Sequence, residues 1–210
     1  MTASLTSKTP LVYVVDDDAS VRESLSSLIR SAGMAVEVFA SPFDFLAQEQ
    51  LIDFSCLVLD VRMPGLDGLA LQEKIMAQGC EIPIIFITGH GDVPLAVRAM
   101  KAGAIDFLNK PFADTDLLAA ITAALLRVSA TVNERSELAN LRLRFDTLTT
   151  REKQIMFAVA QGKQNKAIAY DLAVTESTVK VHKHNVMSKM NIRSVAELTM
   201  AIQRLKNVGK

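Results

Sequence analysis

Tryptophan is absent from these 210 residues, and the aromatic share of 5% rests on 9 Phe and 2 Tyr. A surface that stacks the bases of single-stranded RNA or DNA needs successive aromatic platforms. Beyond residue 125 the chain offers only Phe145, Phe157 and Tyr170, which argues against an RNA-binding regulator. Cysteine is nearly as scarce. Cys56 sits in an apolar run and Cys80 in an expected loop, a spacing that suits neither a disulfide framework nor a zinc site. Both read as structural. Long hydrophobic runs are missing too. No basic head with an apolar core opens the chain, and no uninterrupted apolar stretch approaches the ~20 residues of a membrane span. A cytoplasmic protein without a membrane partner is expected.

Half the residues are hydrophobic and 22% are charged, a composition that builds packed cores rather than disorder and, at this length, one large or two small domains. The formal net charge is zero, but it is unevenly divided. Residues 1–125 carry 8 Lys/Arg against 16 Asp/Glu, and residues 126–210 carry 15 against 7. Opposed halves imply two domains with different partners, the basic one facing a polyanion such as nucleic acid, unless the halves simply attract each other.

The acidic half is organised around Leu57-Val58-Leu59-Asp60-Val61-Arg62-Met63-Pro64-Gly65-Leu66-Asp67-Gly68. Cys56 to Leu59 is apolar at every position, as a parallel strand covered on both faces must be, and Asp60 ends it. Taken alone, Asp60 could merely cap a loop. Three further strand ends change the balance. Leu11–Val15 runs into Asp16, Asp17 and Asp18, Ile84–Ile87 into Thr88-Gly89-His90-Gly91, and Ala104–Leu108 into Asn109-Lys110-Pro111. A short strand, Val36–Phe39, completes five, each followed by a helical pattern. That order calls for a parallel sheet with helices on both faces and right-handed crossovers.

In an open parallel sheet the carboxyl ends of the strands line the ligand crevice. Acids, a hydroxyl and an ammonium are thereby expected in one pocket. Oxygen ligands of this kind suit Mg²⁺, with Lys110 and Thr88 opposite to hold phosphate oxygens, and a carboxylate can itself accept a phosphoryl group as an acyl phosphate. Lys110 could also be a plain salt-bridge partner of the acids.

VVDDD, LVLDVRMPGLDG, FITGHGD and DFLNKPF together resemble the receiver domain of two-component response regulators. The resemblance implies a flavodoxin-like α/β fold with a five-stranded parallel sheet over residues 11–125, after a loose leader at 1–10. It implies Asp60 as phosphoacceptor, Asp17 as a direct Mg²⁺ ligand, Asp16 acting through water, and the carbonyl of Arg62 completing the protein's share. Thr88 and Phe107 would move together to report phosphorylation, and Lys110 would bond the phosphoryl group ahead of a cis peptide to Pro111. Arg62 and His90, each two residues past a pocket residue, are bulky enough to crowd a hydrolytic water.

From Asp114 a long helix is expected, its apolar positions Leu117, Ile121, Leu125, Val128 and Val132 slipping out of phase with Leu138, Leu141, Phe145 and Leu148. The slip, at Asn133-Glu134-Arg135-Ser136, predicts a break or stutter in a linker helix, 126–146, that pairs with its own copy or lies on the receiver.

Four more helices are expected over 147–210. Capping boxes open the first (Thr149-Thr150-Arg151-Glu152) and the last (Ser194-Val195-Ala196-Glu197). Between them Asn165–Leu172, a tight turn at Ala173-Val174 and Glu176–Met190 form a helix-turn-helix. On its second helix Val179, Val186 and Met190 share one side, and Ser177, Lys180, Val181, His184 and Ser188 the other. Such a bundle could bind protein. Its 11 Lys/Arg against 4 Asp/Glu from Thr147 on favour DNA.

LTTRE, QGKQNKAIA and TESTVKVHKHNVMSKM are similar to the all-α four-helix DNA-binding domain of the LuxR type, and joined to this receiver they resemble the FixJ subgroup. The resemblance places Lys180, Val181 and His184 against bases and makes Asn165, Lys166, Ser177 and Lys189 candidate phosphate contacts. It implies a transcription factor that takes a phosphoryl group from a sensor histidine kinase, dimerises through Val97, Arg98, Lys101 and Asp106, and meets an operator and RNA polymerase. It is not expected to be an enzyme beyond slow self-dephosphorylation: Arg62 stands where phosphotransferases and phosphatases commonly carry a second carboxylate.

Overall fold

The computed structural model describes residues 10–48, 54–89 and 93–207. Most of the expected leader and His90 lie outside them. The chain divides into two compact units, Met1–Val132 and Asn133–Lys210.

In the first unit β1 (Leu11–Val15), β2 (Ala35–Phe39), β3 (Ser55–Asp60), β4 (Ile84–Thr88) and β5 (Asp106–Asn109) form one parallel sheet in the order β2-β1-β3-β4-β5. The helices are α1 (Ala19–Ser31), α2 (Pro42–Leu46), α3 (Gly68–Ala77), α4 (Val93–Lys101) and the start of α5 (Asp114–Asp146). Alternation along each strand sorts the core in two. Leu11, Tyr13, Val15, Leu57, Leu59 and Phe86 pack with α2, α3 and α4, whereas Val12, Val14, Val58, Ile85 and Ile87 pack with α1 and α5. The central strands are buried on both faces, which is why they read as unbroken apolar runs. Order reverses between β1 and β3, so the crevice opens at their carboxyl ends, where Asp16 and Asp60 stand.

Two local devices place Asp60. Asp67 caps α3 through Ala70 N–H. Gly68 N–H donates 2.9 Å to the Val61 carbonyl, and a Cβ at Gly68 would collide with the Asp60 carbonyl and meet Val61 Cα at 3.1 Å. Only glycine lets the helix start this close to the strand end.

Of the break or stutter expected near Asn133, the structure has no break. α5 runs unbroken from Asp114 to Asp146. Its first turns bury Leu117, Ala120, Ile121, Ala124 and Leu125 in the receiver core, each large one contributing roughly 1.5–3 kcal/mol. Its last turns place Leu141 and Phe145 against the core of the second unit. The phase slip therefore marks a change of packing partner rather than a break in backbone hydrogen bonding. α5 is the one described helix long and apolar enough to cross a membrane, but the core it packs on already covers part of its apolar face.

In the second unit α6 (Thr150–Ala160), α7 (Asn165–Asp171), α8 (Glu176–Met190) and α9 (Val195–Asn207) surround Leu148, Ile155, Met156, Val159, Ile168, Val179, Val186, Met190, Leu198 and Ile202. The capping box at Thr149 and Glu152 closes in both directions, and Thr175 caps α8 through Thr178 N–H. Phe145 lies edge-on to Phe157 with the Lys153 ammonium 4.4 Å above its ring, and Arg204 pairs with Glu137 at 3.0 Å. The last turns of α5 thus belong to this unit's packing.

Candidate functional site

Three strand ends meet in the first unit. Lys110, following β5, reaches back with its ammonium 2.7 Å from Asp16 Oδ2 and 2.8 Å from Asp60 Oδ1. Both carboxylates are buried, at 1% and 6% exposure, and a charge taken out of water needs such a partner. Their remaining oxygens are held by backbone: Asp18 N–H donates to Asp16 Oδ1 at 2.9 Å, and Arg62 N–H to Asp60 Oδ2 at 2.7 Å. Thr88 is buried at the end of β4, and its carbonyl accepts the Lys110 N–H at 2.7 Å. The Lys110–Pro111 peptide is cis, as the resemblance implied.

Burial raises the Asp60 carboxyl above the usual aspartate range, while the hydrogen bond and charge of Lys110 oppose it. Burial alone would lower the Lys110 ammonium, but its bonds to Asp16 and Asp60 outweigh that and hold it above the ordinary lysine value. The result is an ionised lysine between two carboxylates, one of them made more basic by its surroundings. The Cys56 thiol, pushed up to about 12 by burial, is inert packing.

Asp17 is exposed whereas Asp16 and Asp60 are buried, and among the described residues no group of three or more His, Cys, Asp or Glu is placed to hold a metal ion. The donor chemistry still fits Mg²⁺, which takes one or two carboxylates and keeps several waters.

Phe107 is half-buried beside Phe86, ring centroids 6.3 Å apart. On α4 Val97, Arg98 and Lys101 are exposed, and Asp106 is half-buried on β5, where its Oδ1 accepts the Phe107 N–H. Arg62 is exposed.

In the second unit α8 turns Val179, Val186 and Met190 into the core and leaves Ser177, Lys180, Val181, His184 and Ser188 exposed. Lys166 is exposed near the start of α7, with Asn165 half-buried beside it. The Lys189 ammonium lies 2.7 Å from Glu152 Oε2 and 3.4 Å from the Thr147 carbonyl, with its side chain 38% exposed. Glu152 is 3% exposed, and a lone buried carboxylate would draw any lysine within reach.

One contact at the pocket and one backbone angle are decided only by the fold. Arg22 donates from Nη1 to the Asp16 carbonyl at 2.7 Å, a bond that a helical face pattern cannot foretell. Ala173, in the tight turn expected at Ala173-Val174, takes a left-handed φ of 51° although it is not glycine.

Residues 12–122 match the family described as response regulator receiver domain, and residues 146–202 match bacterial regulatory proteins, luxR family. The chain is 47% identical over 197 residues to the response regulator protein TmoT of Ectopseudomonas mendocina, covering 94% of this chain and 90% of TmoT. It is 45% identical over 187 residues to the transcriptional regulatory protein FixJ of Azorhizobium caulinodans, covering 89% of each. Among solved structures, the response regulator StyR superposes with a TM-score of 0.82 at 48% identity, over 93% of this chain and 99% of StyR. Full-length FixJ from B. japonicum superposes at 0.60 and 42%, over 94% and 97%. Both halves match in the same order along nearly the whole length of these relatives, and the chain belongs to the response regulators that join a receiver domain to a LuxR-type DNA-binding domain, in the FixJ subgroup.

Proposed function

We propose that Asp60 takes a phosphoryl group from a sensor histidine kinase and that the phosphorylated chain dimerises on an operator in duplex DNA. The observation that carries this reading is the Lys110 ammonium held between Asp16 and Asp60 where the strands end. A carboxylate oxygen of Asp60 attacks phosphorus, the bond from phosphorus to the donor's imidazole nitrogen breaks, and that nitrogen keeps the electron pair. Lys110 then faces added negative charge on the transferred oxygens, and Thr88, next to it through its carbonyl, supplies a hydroxyl to the same group. Asp16, Asp17, Asp60 and the Arg62 carbonyl are the residues to hold Mg²⁺, which would neutralise charge on the phosphoryl oxygens.

Thr88 drawn toward the phosphoryl group frees space that Phe107 fills, and the α4 surface of Val97, Arg98, Lys101 and Asp106 changes with it. In the second unit Lys180, Val181 and His184 face bases, while Asn165, Lys166 and Ser177 touch phosphates. RNA polymerase is the further partner such a regulator meets at a promoter, which places the chain in the cytoplasm. The protein accepts the group on its own aspartate and is not an enzyme toward other substrates.

The test is labelling by a small acyl phosphate with Mg²⁺. Wild-type protein retains the label, Asp60→Asn takes up none, and Asp17→Asn loses its Mg²⁺ dependence. Labelling of Asp60→Asn at the wild-type rate overturns the assignment.

A further inference from the structure

Asp16 has every oxygen held, and one of the three bonds has no counterpart in the chemistry above. Its carboxylate faces Lys110 and Asp18 N–H, whereas its main-chain carbonyl accepts the Arg22 guanidinium at 2.7 Å. That carbonyl belongs to the peptide joining Asp16 to Asp17. Fixing one peptide plane restricts ψ of the residue before it and φ of the residue after it, and so sets the direction of both side chains.

The position of Arg22 is itself unfavourable. It is the fourth residue of α1, close to the positive end of the helix dipole, where an anion would be stabilised and a cation is not. No acidic residue occupies that first turn, although Asp18, capping it through Ser20 N–H, adds negative charge. A cation kept there, with its guanidinium turned back over the strand end instead of out to water, points to a use at the pocket.

We infer that Arg22 is a positioning residue for phosphorylation: its guanidinium locks the Asp16–Asp17 peptide so that the buried carboxylate stays on Lys110 while the exposed one is aimed at the divalent cation. The inference rests on the reading of Asp16 and Asp17 as the cation-binding acids. Without the guanidinium the peptide plane is free to turn, Asp17 samples directions away from the cation, and binding weakens before the chemistry at Asp60 is touched. The effect falls on the half-saturation for Mg²⁺, not on the labelling rate at saturating Mg²⁺.

The experiment titrates Mg²⁺ alone into full-length protein by calorimetry, and then measures labelling by an acyl phosphate against Mg²⁺ concentration. Arg22→Met keeps the apolar stem and removes the donor. It is expected to bind Mg²⁺ about tenfold more weakly, the scale of one charge-assisted hydrogen bond, with the maximal labelling rate within about twofold of wild type. Arg22→Lys, which keeps a charged donor, recovers part of the affinity. If Arg22→Met fails to fold by circular dichroism, Arg22→Leu, which also lacks a donor, carries the same expectation. Wild-type Mg²⁺ affinity in a folded variant without the guanidinium overturns the role of Arg22 alone. A wild-type chain that binds no Mg²⁺ overturns the reading of the acids, and the role of Arg22 with it.

Discussion

Lys189, in the last turn of α8, places its ammonium 2.7 Å from Oε2 of Glu152, the buried third residue of α6. The same carboxylate accepts the Thr149 N–H that begins α6. One side chain therefore closes a helix cap and fixes the recognition helix to its neighbour.

The bond to Lys189, with those to Thr149, holds the Glu152 carboxyl below the ordinary glutamate range. A depressed carboxylate contributes stability that is complete above its unfolded-state value and is lost as pH falls through the folded one. Below about pH 4.3, the ordinary glutamate value, the second unit should lose stability. Glu152→Gln should flatten that acid limb, and Lys189→Met should cost about 2 kcal/mol at neutral pH, less than a fully buried pair because the lysine is partly exposed. Urea melts followed by circular dichroism at several pH values check both.

Gly68→Ala tests how tightly α3 is set against the pocket. The added methyl has no room beside the Asp60 carbonyl, so the helix start or the strand end must move. We expect a loss of about 1–3 kcal/mol and slower labelling of Asp60. Unchanged stability and labelling would show that the approach relaxes freely.

Ala173→Gly should act in the opposite direction. Alanine at φ 51° carries backbone strain that glycine relieves, so the variant should gain about 0.5–1 kcal/mol in the same melts. Gly162→Ala, at φ 79°, should lose a comparable amount.

On DNA, Lys180→Ala and Val181→Ala should each lose about 1–3 kcal/mol on the operator and relax its sequence preference. Lys166→Ala should weaken binding to all duplexes alike and lower the salt slope by about one. Equal losses on specific and random DNA for all three variants would contradict the register read for α8.

Val97→Asp with Lys101→Glu should leave labelling intact but keep the labelled protein monomeric by light scattering. Val97 is 43% exposed with Arg98 and Lys101 beside it and Asp106 on the next strand, a spot that can meet its own copy across a two-fold axis. Dimerisation of this variant on phosphorylation would place the interface elsewhere.

The sequence alone determined what depends on local periodicity. Unbroken apolar runs named the buried strands, the carboxylates that interrupt them marked the crevice, and a capping box at Thr149 and a side-chain cap at Ser194 opened two helices where they were expected. Each signal spans only a few residues, within reach of backbone hydrogen bonding and side-chain alternation. Tertiary structure decided what depends on partners far apart in the chain. Lys110 pairs with residues 94 and 50 positions away, and Glu152 lies 37 positions from Lys189. Strand-end topology raised Lys110 as a partner of the acids, but no pattern foretells that it joins Asp16 and Asp60 in particular, or that a phase slip in α5 records two packing partners along one continuous helix. Those outcomes follow from desolvation and packing, which act only once the chain has folded.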